Sequence, residues 1–186
     1  MQTALMSPEK LGSLIGAGFG LVFVLVNTGS LAPAIAVLLR VLAVGAFVAV
    51  VVAVRRVAPA TGTHAAGGGF GRTYWCVVGV EVLAIWLGLA LLNGPLQMPE
   101  AAVGWISAVV GAHFVALAVI WTNPMFHWLG AALLVCGVAG LVLAAGGQDD
   151  RAIDLLAGVV PGAVLLGFSL WGSTTGARSP ATRSVP

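Results

Sequence analysis

The chain has 186 residues, of which 60% are hydrophobic and only 8% charged, with a net charge of +2 and a mean hydropathy of +1.08. Soluble domains carry roughly 25% charged residues, so this composition excludes an ordinary soluble fold and points to the bilayer as solvent. The small net charge, with no basic cluster interleaved with aromatics, also excludes a nucleic-acid-binding surface.

Backbone groups in hydrocarbon must pair internally, which leaves helices or a closed barrel. The apolar runs here are continuous over roughly 20 residues rather than alternating over about 10, so the sequence predicts an all-α polytopic bundle. Six spans are predicted, near 11–26, 31–54, 74–92, 101–121, 128–145 and 153–171, in one transmembrane domain covering 1–172. The breaks fall at Asn27-Thr28-Gly29-Ser30, Asn93-Gly94-Pro95, Asn123-Pro124 and the Gly146-to-Asp150 stretch.

In the first span, Gly12, Gly16 and Gly20 recur at four-residue spacing, a small-residue face suited to packing on another helix. Lys10, the apolar run and Ala32-Pro33-Ala34 loosely imitate a cleaved signal peptide, but apolar sequence resumes at Ile35, which favours a retained span. The second span ends on Arg55-Arg56, and the 57–71 connector, rich in Gly, Ala and Thr, is expected to be flexible. Cys76 and Cys136 lie inside apolar runs with no CxxC and no neighbouring His, and read as buried thiols. Pro161-Gly162 in the sixth span predicts a kink. Residues 173–186 read as a disordered cytoplasmic tail.

Positive residues set the orientation. Lys10, Arg55, Arg56, Arg72, Arg178 and Arg183 share one side, whereas Arg151 stands alone on the other with Glu100, Asp149, Asp150 and Asp154. Both termini are therefore expected to be cytoplasmic. Trp75, Trp105, Trp121, Trp128 and Trp171 fall near span ends, where amphipathic rings prefer to sit.

Three ionisable residues lie within spans: Arg40, Glu81 and His113. An unpaired charge at mid-bilayer costs at least ~2.5–3.5 kcal/mol, so each should face the bundle interior and find a partner. At about 1.5 Å per residue, Glu81 and His113 both lie roughly 18 Å below one membrane face, and Arg40 roughly 13–14 Å below it. The three are expected to form one polar cluster, acting either as structural glue or as a proton relay or solute-coupling site. One His and one Glu fall short of the ligands zinc needs, and His64 and His127 belong to the cytoplasmic side, so no metal is assigned. Gly67-Gly68-Gly69-Phe70-Gly71 lacks the strand and Lys-Ser/Thr of a phosphate loop. No Ser/His/Asp set, HExxH or paired carboxylates appear, so neither catalytic residues nor a cofactor are assigned.

The stretch from Glu81 to Gly130, with "VVGAHFVALA" and "NPMFHWLGAALLVCG", resembles a group of small bacterial membrane proteins with no established activity. Their pattern is an acidic residue in one span, a Gly-x-His-Phe-x-x-Leu-Ala segment in the next, then a proline, an aromatic and a glycine. It corresponds here to Gly111, His113, Phe114, Leu117, Ala118, Pro124, Phe126 and Gly130, and departs at Val115-Ala116, where the group carries a proline. The resemblance implies a small bacterial membrane protein and brings no activity with it; with no catalytic motif, the chain is expected to be a non-enzymatic inner-membrane protein. The residues leave open a proton-linked carrier or a scaffold for a membrane partner or second copy; the bilayer is the expected surrounding.

Overall fold

The computed structural model describes residues 8–56 and 71–175, and every regular element among them is helical. The elements are α1 (Pro8–Val26), α2 (Pro33–Arg56), α3 (Arg72–Asn93), α4 (Ala102–Trp121), α5 (Pro124–Ala145) and α6. The last runs as α-helical Asp150–Ile153, π-helical Asp154–Val159 and α-helical Val160–Thr175, and a 3-10 turn, Pro99–Ala101, leads into α4. Five of these helices are long and apolar enough to cross a membrane, and α1 contributes a shorter apolar stretch, Lys10–Val26. The chain is a multi-pass membrane helix bundle. The 57–70 part of the long connector and residues 176–186 of the tail lie outside the described residues.

Local chemistry sets the helix boundaries. Asn123 caps α5 by accepting the Met125 N–H, and Pro124 occupies the first helical position, where a missing N–H costs nothing. The span therefore begins at Pro124, ahead of the position 128 expected from hydropathy. Only Thr122 and Asn123 separate α4 from α5, and Thr122 takes a left-handed backbone (φ 48°) to make the reversal. Asp149 caps α6 in the same way, accepting the Arg151 N–H.

The helices assemble as two groups meeting at α6. α1, α2 and α6 pack together, while α4 lies between α3 and α5; the π-helical part of α6 joins the groups by touching α4 and α5. Glycine makes the tight crossing of α4 on α5. A Cβ on Gly104 would lie 2.8 Å from the Leu141 nitrogen, one on Gly130 would lie 2.7 Å from the Gly111 carbonyl oxygen, and Gly111 and Gly137 face backbone more closely still. Without competing water, such close van der Waals contact is what holds membrane helices together.

α2 and α3 are peripheral. Only 11% of the apolar window of α3 is buried, against 50% for α6. Val37, Leu38, Val41 and Leu42 on α2, and Val80, Val82, Leu83 and Trp86 on α3, are more than half exposed. So broad an apolar exterior suits hydrocarbon, where it carries no penalty.

The same peripheral position corrects the reading of the cysteines. Both are free thiols, but Cys76 is exposed, because α3 leaves most of its circumference uncovered, and Cys136, on α5, is only half-buried. Trp105, one turn into α4, turns its ring onto α3, as described below.

Candidate intramembrane polar site

α4 presents a different chemistry to each neighbour. Gly104, Ala108 and Gly111 lie against α5. Ser107 points to the π-helical segment of α6, and Trp105 and His113 point to α3. At a 3.6-residue period Gly104, Ser107 and Gly111 share one face of the helix, and Trp105 and His113 lie away from it.

On the α3 side, His113 Nδ1 lies 3.0 Å from Glu81 Oε2, with side chains 10% and 17% exposed. The distance is that of an ion pair, yet among the described residues Nδ1 has no aligned hydrogen-bond partner. The two groups touch without being locked in the linear geometry of a strong hydrogen bond. Counting about 1.5 Å per residue, Glu81 lies roughly 13–14 Å from Arg72 and 18 Å from Asn93, near the middle of its helix. His113 is roughly 16–17 Å from Ala102 and 12 Å from Trp121.

Aromatic rings fill one approach to the pair. His113 contacts Phe114 edge-on, Phe114 stacks on Phe126, Phe126 meets Trp121, and Trp121 stacks on Tyr74, with centroid separations from 5.4 to 5.9 Å. This column runs from the pair to the α4–α5 reversal. On the opposite approach, Trp105 lies over Gly88, and its indole N–H donates to the Ala84 carbonyl at 3.0 Å. A Cβ on Gly88 would collide with the indole, so that glycine makes the notch the ring occupies. Glu81–His113, Trp105–Ala84 and Tyr74–Trp121 are the specific contacts that fix α3 to α4.

Arg40 does not join this pair. It sits on α2, which packs against α1 and α6, and its Nε donates to Thr28 Oγ1 at 2.8 Å. The three-residue cluster expected from depth is thus a Glu81–His113 pair and a separate Arg40–Thr28 contact. Depth measures position along the membrane normal and says nothing about which helices are neighbours. The long arginine side chain leans toward the N-terminal end of its helix, which brings it to the buried threonine in the α1–α2 turn.

The glycine face of α1 is used within the chain. A Cβ on Gly20 would lie 2.7 Å from the Gly162 carbonyl oxygen of α6, and one on Gly16 would lie 2.8 Å from Ser169 Oγ. Gly12, the third member of the series, has nothing within 4 Å among the described residues.

Hydropathy gave no sign of the role of Ser107. Pro161 has no N–H to donate to the carbonyl four residues back, that of Ala157. The helix widens to a π form just before it, with the Val160 N–H bonding to the Leu155 carbonyl. Ser107 Oγ, fully buried, donates to the Ala157 carbonyl and satisfies it. The Pro161-Gly162 feature is therefore a π-bulge whose freed carbonyl is taken by a neighbouring helix, the usual remedy in membranes. A serine at helical spacing from Gly104 and Gly111 was the available signal.

At the end of the bundle that carries the 27–32 turn, a hollow of about 320 Å³ is lined by Ser30, Pro99, Glu100, Asp150, Ile153 and Asp154. A second, apolar hollow of about 330 Å³ lies beside the Trp105 notch, lined by Ala84, Leu87, Gly88, Leu91, Leu92, Leu96 and Trp105. No group of three or more His, Cys, Asp or Glu positioned to hold a metal ion occurs among the described residues. No protein-family model matches the sequence, and comparisons with curated proteins and with solved structures likewise give no match.

Proposed function

We infer that the chain is a non-enzymatic multi-pass protein of the bacterial cytoplasmic membrane, working as a small proton-linked carrier through Glu81 and His113. The observation that carries this reading is their contact at 3.0 Å near mid-span with no aligned hydrogen bond between them. A purely structural pair in hydrocarbon gains most when every donor and acceptor is satisfied. An imidazole and a carboxylate 3.0 Å apart need only a small rotation to form the hydrogen bond along which a proton can pass between them. The likeness of residues 81–130 to small bacterial membrane proteins belongs to this reading. A membrane scaffold would rely on the glycine face of α1, and that face meets α6 at Gly16 and Gly20.

The test is proton flux in sealed vesicles holding purified protein and an internal pH-sensitive dye. A pH gradient is imposed with and without panels of amino acids, organic acids and organic cations outside. The reading expects dissipation faster than in protein-free vesicles, lost in Glu81→Gln and in His113→Ala variants that keep the wild-type elution profile. Flux indistinguishable from protein-free vesicles under all panels, or unchanged in both variants, contradicts it.

A further inference from the structure

Arg40 presents a different problem from the pair. Its neighbours Val37, Leu38, Val41 and Leu42 are 57–62% exposed, so it lies on a surface that faces acyl chains. Arg40 itself is exposed, roughly 10–11 Å along α2 from Pro33. A guanidinium carries five N–H donors in a planar fork. Among the described residues, Thr28 is its one hydrogen-bond partner, and no carboxylate comes within ion-pair distance. Thr28 is fully buried and its hydroxyl donates to the Leu25 carbonyl at 3.3 Å, so the acceptor for Nε is fixed in place. The fork is thus held by one corner while its Nη donors remain available.

We propose that Arg40, positioned by Thr28, binds the phosphodiester group of a membrane phospholipid in the leaflet that contains the 27–32 turn. A cation in the apolar band is tolerated when it snorkels to the interface and draws a polar group toward itself. The phosphodiester is the anion a bilayer supplies at that level, and its paired oxygens match the planar fork. A lipid fits better than free phosphate because the exposed side chains around Arg40 are apolar and lie alongside the acyl chains of the same molecule. Thr28 serves as a positioning residue and does not touch the phosphate.

The full-length protein is measured by native mass spectrometry from detergent, with Arg55→Gln, Arg56→Gln and Arg72→Gln present to remove basic residues at the other end. Phosphatidylglycerol, diacylglycerol with the same chains, and inorganic phosphate are titrated separately. Phosphatidylglycerol should be retained at a tight site, and diacylglycerol and inorganic phosphate should not. Arg40→Gln should weaken retention about tenfold, the scale of a lost charged hydrogen bond. Arg40→Lys, a point charge without the fork, should fall between the two. Diacylglycerol or inorganic phosphate binding as tightly as phosphatidylglycerol would overturn the proposal, as would equal retention in Arg40→Gln. If Arg40→Gln does not fold, Arg40→Lys and Thr28→Val decide the matter: weakening in both supports the site, and wild-type affinity in both refutes it.

Discussion

Single residues in this bundle act mainly through what they leave out or make up for. Gly20 has no side chain because the Gly162 carbonyl occupies that space, while Gly12 faces nothing within 4 Å among the described residues. Gly20→Leu should therefore lower the melting temperature in detergent sharply, Gly16→Leu less so because Ser169 Oγ can move aside, and Gly12→Leu hardly at all. Equal melting temperatures for Gly12→Leu and Gly20→Leu would remove the close-approach role. The GxxxG spacing was legible in the sequence; which member touches a neighbour was not, because it depends on where α6 crosses. Ser107 offers a second test. Ser107→Ala strands the Ala157 carbonyl and should cost about 1–2 kcal/mol. Pro161→Ala restores an N–H able to reach that carbonyl, so the double variant should recover part of the loss. Strictly additive losses would show that serine and proline are not linked through that carbonyl.

Among the elements, α3 depends most on a few contacts. It packs on α4 and the turn leading into it, and little of its surface is buried. Gly88→Leu should expel the Trp105 indole from its notch and, together with Glu81→Gln, loosen the helix. Hydrogen exchange in detergent should then rise across residues 72–93 while α1 and the α4–α5 crossing keep their protection. A uniform rise over all helices would mean that α3 is not a separable unit. The sequence reading found α3 as a span and marked Glu81 within it. It placed Arg40 beside Glu81 because their depths agreed, whereas lateral order depends on the glycine crossings of α4 with α5 and α1 with α6. Cys76 was misread for the same reason: an apolar neighbourhood in sequence does not separate lipid from protein core.

For the whole molecule, composition alone was enough to identify a membrane helix bundle, since hydrocarbon admits few other ways to satisfy a backbone. The three short connections at 27–32, 94–101 and 146–149 belong to one end, where Ser30, Glu100 and Asp150 line a common hollow. If the basic end faces the cytoplasm, a cysteine placed at Gln148 in a Cys-free background should react from outside and one in the 57–71 connector from inside; the reverse pattern would invert the topology. The central claim is that Glu81 and His113 act as one unit to which Arg40 does not belong. Its most direct test is a pair of double-mutant cycles on unfolding in detergent, one combining Glu81→Gln with His113→Ala and the other Glu81→Gln with Arg40→Gln. The account predicts a coupling of about 0.5–2 kcal/mol in the first cycle and additivity within about 0.5 kcal/mol in the second. Additivity in the first cycle, or strong coupling in the second, would contradict it.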